Sequence, residues 1–202
     1  MSKNTDSPGL TWAEIEQAAA TLGLEPCLVQ AVVEVESNGK GFLPSGRPTL
    51  LYEGHQFWKE LRKVGINPER KDAPDILYRR WDKSKYKGGE GEWDRLEKAM
   101  AIHKEAALKS ASWGLFQIMG FNHAACGFAS VLDFVEAQKK SLAAQLDAFC
   151  AFMRHEGLVP LLQKKDWSGF ARRYNGPEYA KNSYHTKLQR AHQRCLEKQE
   201  KA

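Results

Sequence analysis

Long apolar runs are missing from this 202-residue chain. No stretch approaches the roughly 18 consecutive apolar residues of a membrane-spanning helix, so stable membrane insertion is not expected. A secretory leader is missing as well. The opening Met1-Ser2-Lys3-Asn4-Thr5-Asp6-Ser7-Pro8-Gly9 is polar and holds no apolar segment, which predicts synthesis in a cytoplasm. Cysteine is scarce: Cys27, Cys126, Cys150 and Cys195 are widely spaced and form no CxxC pair. In a reducing compartment they are expected to be free, mostly buried thiols. His55, His103, His123, His155, His185 and His192 show no ligand spacing with cysteine or with one another, so neither a metal nor a cofactor is expected. Repeats, low-complexity tracts and linkers are also lacking. That leaves a polar tail over residues 1–10 and one domain over 11–202, long enough to bury a single core.

What is present is an uneven charge and a strong helical pattern. Residues 1–60 hold 4 Lys/Arg against 8 Asp/Glu, whereas the other 142 hold 26 against 17, giving a net charge of +5. A basic body suits a polyanion such as nucleic acid, an anionic membrane surface or an anionic cell wall. Thr11-Trp12-Ala13-Glu14 has the capping-box form and predicts a helix to about Leu22. Pro26 opens a second helix that Ser37-Asn38-Gly39 stops. Leu50-Leu51-Tyr52 predicts a short strand and Gln56 to Val64 a helix, while the polar, Gly/Pro-punctuated 65–91 predicts a surface excursion. Helical periodicity returns over 92–109, 113–118, 130–138, 141–155, 167–174 and 178–196. Leu142, Leu146, Phe149, Cys150 and Met153 mark the 141–155 helix as a core element. The expected fold is mainly α, with a small β element near residues 50–54.

Within the second helix, Leu28, Val32 and Glu36 lie four apart and share one face. Glu36 prolongs an apolar stripe, whereas Glu34 points about 160° away at roughly 100° per residue. Apolar surroundings disfavour a charged carboxylate and raise its pKa, which a general acid working near neutral pH requires. Periodicity alone equally allows a glutamate that reaches from the last turn into solvent.

Three segments together resemble the lysozyme-like superfamily, in the branch of goose-type lysozymes and lytic transglycosylases. They are Val33-Glu34-Val35-Glu36-Ser37, then Ala111-Ser112-Trp113-Gly114-Leu115-Phe116-Gln117-Ile118-Met119-Gly120, then Ala171-Arg172-Arg173-Tyr174-Asn175-Gly176. The run from Pro48 to Phe57, with Glu53-Gly54-His55, and the run from Ser112 to Gly120 resemble more closely the N-acetylmuramidase domain of bacteriophage endolysins. The resemblance implies a lysozyme-like fold and cleavage of peptidoglycan glycan strands with Glu36 as catalytic acid. It further implies substrate binding by Ser37, His55, Ser112, Trp113, Gly114, Gln117, Tyr174 and Asn175, with the core as an equal alternative for the Trp113 ring. An enzyme of that kind made without a leader would reach the wall through a holin-type membrane lesion, and it would work as a monomer.

Glycosidases of this type normally pair two carboxyl groups, about 5–5.5 Å apart in retaining and about 6.5–9.5 Å apart in inverting enzymes. Glu53, directly after the short strand, is the candidate for the second; a structural role beside His55 is the competing reading. Asp72, Asp75 and Asp82 lie in the excursion and are poorer choices. Water attack would make the chain a muramidase, and attack by the sugar's own 6-hydroxyl a lytic transglycosylase. A glycan-binding module without activity is the rival from another class. Nucleic acid is not expected, because Arg79-Arg80 and Arg172-Arg173 are too sparse for a phosphate-reading surface.

Overall fold

The computed structural model describes residues 9–37 and 40–201, so the polar tail up to Pro8 and the Asn38-Gly39 stop lie outside the described residues. Leu10, at the end of the expected tail, is buried in the core. Helix α1 (Trp12–Leu22) starts at the anticipated capping box: the Thr11 side chain accepts from Glu14 N–H, and Glu14 accepts from Thr11 N–H at 2.7 Å. Pro26 occupies the first turn of α2 (Pro26–Glu36), where its missing N–H costs nothing, and the helix is buried from Cys27 through Val33. Ser37 leaves helical geometry directly after Glu36, with its N–H still bonded to Val33 O.

Strand β1 (Leu50–Tyr52) forms where expected, and α3 (Gly54–Lys63) follows at once. The excursion from 65 to 91 is less superficial than its polarity suggests. It makes two single 3-10 turns, at Pro68–Arg70 and Lys83–Lys85, and buries Ile76 and Leu77. The helical stretch over 92–109 is two helices, α4 (Glu90–Ile102) and α5 (Lys104–Lys109). His103 breaks it by turning extended, and its ring then accepts from Ala106 N–H to cap α5.

The segment 113–118 is a hairpin rather than a helix. Strands β2 (Ala111–Trp113) and β3 (Ile118–Met119) join β1 in an antiparallel sheet of order β1-β2-β3, in register Leu50 with Trp113 and Trp113 with Ile118. Apolar residues fill both faces there, which imitates helical periodicity. The backbone decides: Gly114 (φ 68°) and Gln117 (φ 49°) are left-handed, which no helix allows. At Gly114 a Cβ would lie 2.4 Å from Gln138 Oε1, so glycine is also required for close packing.

Helices α6 (Val131–Lys140), α7 (Leu142–His155), α8 (Val159–Gln163), α9 (Trp167–Asn175) and α10 (Tyr184–Gln199) complete the order. A 3-10 segment, Pro177–Asn182, precedes α10. Leu146, Phe149, Cys150 and Met153 of α7 are buried, as their spacing predicts. Helix α10 packs along α2, and a disulfide between Cys27 and Cys195 ties the two together. This overturns the expectation of four free thiols: a sequence separation of 168 residues leaves no local signature of pairing. Cys126 and Cys150 are free and buried, and burial pushes both thiols up to about 12. No single helix among the described residues is long and apolar enough to cross a membrane.

Candidate active site

Glu36 ends α2, and the two elements that close over it come from the far end of the chain. Helix α9 starts at Asp166, whose side chain accepts from Gly169 N–H, and its last turn brings Asn175 Nδ2 to donate to Glu36 Oε1 at 3.0 Å. Helix α10 brings the Lys187 cation within electrostatic reach of the same carboxyl. Both contacts favour the charged form. Burial opposes them and wins, raising the Glu36 pKa from 4.5 to about 7. Glu36 keeps partial solvent access, so the carboxyl is desolvated without being sealed off.

Tyr174 precedes Asn175 and forms the apolar wall of this region. Its ring lies 5.7 Å from Phe149, 6.4 Å from Phe152 and 5.8 Å from Phe170. Burial and the neighbouring Glu36 charge both hold the phenol in its neutral form. Tyr174 also lines a cavity of about 250 Å³ with Gln117, Met119, Phe152 and Arg173.

The hairpin motif serves largely as the frame of this site. Ser112 is buried and its Oγ donates to Gln117 Oε1 at 2.9 Å, while Gln117 Nε2 donates to Gly114 O at 2.8 Å. Both ends of the Gln117 amide therefore brace the left-handed turn. Leu115 N–H donates to Gln145 Oε1 at 2.7 Å, and Gln145 Nε2 reaches Gln138 O at 2.8 Å. Trp113 is 0% exposed, packs edge-on to Trp93 at 5.6 Å and donates its indole N–H to Leu108 O. Of the two places open to Trp113, groove or core, its ring takes the core. Ser112 and Gly114 likewise face protein, and Ser37 stands at the end of α2, partly exposed.

Glu53 occupies a different setting. It begins α3, accepts from Tyr86 Oη at 2.6 Å and lies 3.2 Å from His55 Nδ1. Burial lowers the His55 pKa, while the Glu53 charge works against that. Beside this cluster sits a buried ion pair that the sequence reading missed. Arg95 Nη1 donates to Glu92 Oε2 at 2.7 Å and to Tyr52 O at 3.0 Å, and Glu92 accepts from Tyr52 N–H. Its one signal is an i,i+3 acid–base spacing, which is far commoner on exposed helix faces. The excursion supplies Tyr78, which accepts from Arg95 Nη2 at 3.0 Å, as well as Tyr86. Lys187 was also missed, since nothing local marks it out in a basic C-terminal helix.

Comparison with known proteins finds both a family and solved structures that match. An N-acetylmuramidase family profile covers residues 25–196. The crystal structure of Burkholderia AP3 phage endolysin superposes with a TM-score of 0.85 at 41% identity, over 93% of this chain and 70% of that one. Among curated proteins nothing matches.

Proposed function

The chain belongs to the N-acetylmuramidase family, and we propose that Glu36 is the general acid with which it cuts peptidoglycan. The observation that carries this assignment is the desolvated Glu36 carboxyl, raised to about 7 and held by Asn175 at one oxygen. With an amide N–H directed at Oε1, the carboxylic proton sits on Oε2, ready for donation. Transfer to the glycosidic oxygen between N-acetylmuramic acid and N-acetylglucosamine builds an oxocarbenium-like sugar, which water then quenches. The family match supports hydrolysis over the transglycosylase alternative, and cleavage over glycan binding alone.

Tyr174 and Asn175 fit a role beside the reacting sugar, Asn175 by orienting the acid and Tyr174 by excluding water from it. Glu53 fits a positioning role, since Tyr86 and His55 already hold its carboxylate. The likeness to a phage endolysin supports action on the bacterial wall; in this reading the enzyme reaches the wall through a membrane lesion made by another protein and works as a monomer. Mass spectrometry of the released fragments tests the reaction. Reducing N-acetylmuramic acid ends are expected; 1,6-anhydro ends would mean a transglycosylase, and reducing N-acetylglucosamine ends a different bond.

A further inference from the structure

Three cations of α10, Lys187, Arg190 and Arg194, recur at i, i+3 and i+7 and so share one face. With Glu34 and Val35 of α2 they line a cleft of about 310 Å³ beside the helix end that carries Glu36. Only part of this positive charge is neutralised. Arg194 is hydrogen-bonded to Glu34, and Lys187 lies 5.4 Å from the centre of the Tyr184 ring. Arg190 is exposed and makes no hydrogen bond or ion pair among the described residues. A concave site with more fixed cations than anions attracts an anionic ligand, and a guanidinium without a partner offers the forked geometry that suits a carboxylate.

We propose that this cleft binds a carboxylate of the stem peptide carried by the glycan strand, with Arg190 as its forked donor and Lys187 as a second cation. The proposal rests on the reading of the chain as a muramidase. A muramic acid bound near Glu36 projects its lactyl-linked peptide away from the glycan axis, and that peptide carries the free carboxylates. Once an amidase removes the peptides, the glycan keeps only the short lactyl carboxylate on each muramic acid, which lies against the sugar ring rather than out along the peptide. Lys187 links the two regions, because its charge is also felt at Glu36.

Two measurements on the full chain decide this. In the first, cleavage of soluble peptide-bearing strands is compared with cleavage of the same strands stripped by an amidase. Arg190→Ala is expected to raise the apparent KM for peptide-bearing strands roughly tenfold more than for stripped ones, at similar kcat, with partial recovery in Arg190→Lys. Equal losses on both substrates, or none on either, overturn the proposal. In the second, the stem tripeptide L-alanyl-D-glutamyl-diaminopimelate is titrated calorimetrically. Weak binding to the native chain, lowered about tenfold by Arg190→Ala, supports the cleft; binding that is absent or equal in both rejects it. If the native chain cuts neither substrate, the muramidase reading has failed, and the titration still judges the cleft.

Discussion

Glu36 and Glu53 stand at helix ends of opposite polarity. Glu36 closes α2, where the exposed carbonyls disfavour negative charge, whereas Glu53 opens α3, where the free N–H groups favour it. The surroundings extend the contrast. One amide hydrogen bond and a nearby lysine fail to offset burial at Glu36, while Glu53 has a phenol donor at 2.6 Å and an imidazole at 3.2 Å. The same side chain thereby has a raised pKa at one site and accepts a hydrogen bond from a phenol at the other. What sets Glu36 apart is burial, which outweighs its Asn175 and Lys187 partners.

The strongest test of that contrast is Glu36→Gln. It is expected to lower wall-clearing activity by about 10³-fold, the range for losing a general acid, with the fold intact by circular dichroism. Clearing at the native rate would remove Glu36 from the chemistry. Next comes the clasp behind Glu36: Cys27→Ser should cost about 3 kcal/mol in denaturant unfolding. An unchanged midpoint under oxidising conditions would show that α10 holds α2 without the covalent link.

A comparable effect concerns stability against pH. Because the Glu36 pKa is raised in the folded state, from 4.5 to about 7, the native protein loses stability as pH climbs through that interval. Glu36→Gln should therefore be more stable than native above pH 7, by up to about 3 kcal/mol, and no different below pH 4.5. Activity should fall over the same rise in pH as the acid loses its proton. A Tm difference that does not depend on pH would contradict the desolvation argument. Smaller still, Glu53→Gln should reduce activity no more than about tenfold and lower Tm together with it, since it weakens the Tyr86 contact. Loss as deep as in Glu36→Gln at unchanged Tm would promote Glu53 to the chemistry. The smallest effect is expected from Asn175→Ala. Removing a donor that favours the carboxylate should move the alkaline limb of the pH–rate profile upward, and a downward move would mean that Asn175 acts otherwise.

The desolvated setting of Glu36 was legible in the sequence because a helix repeats every 3.6 residues, which put Glu36 on the stripe of Leu28 and Val32. Tyr174 and Asn175 were legible through a short motif, and β1 through its apolar triplet. The β2–β3 hairpin was not, since residues 113–118 are buried on both sides and periodicity cannot separate such a strand from a core helix. Two left-handed residues settle the matter, and only Gly114 hints at it in the sequence. Trp113 stood between groove and core for a related reason: an aromatic in a site motif can frame the groove from inside. The anchors of Glu53 escaped because Tyr86 and Tyr78 lie in a segment whose polar composition hides its inward contacts.

The Cys27–Cys195 bond makes most of the chain a covalent ring, its two anchors separated by 168 residues in sequence. A single backbone cut anywhere within that ring leaves the two pieces tied together. Exposed turns such as Lys83–Lys85 are where proteases cut first. In the oxidised protein, a nick there should produce two bands on a reducing gel and one on a non-reducing gel. The helix that carries Glu36 and the helix that covers it would then remain partners through the first rounds of proteolysis.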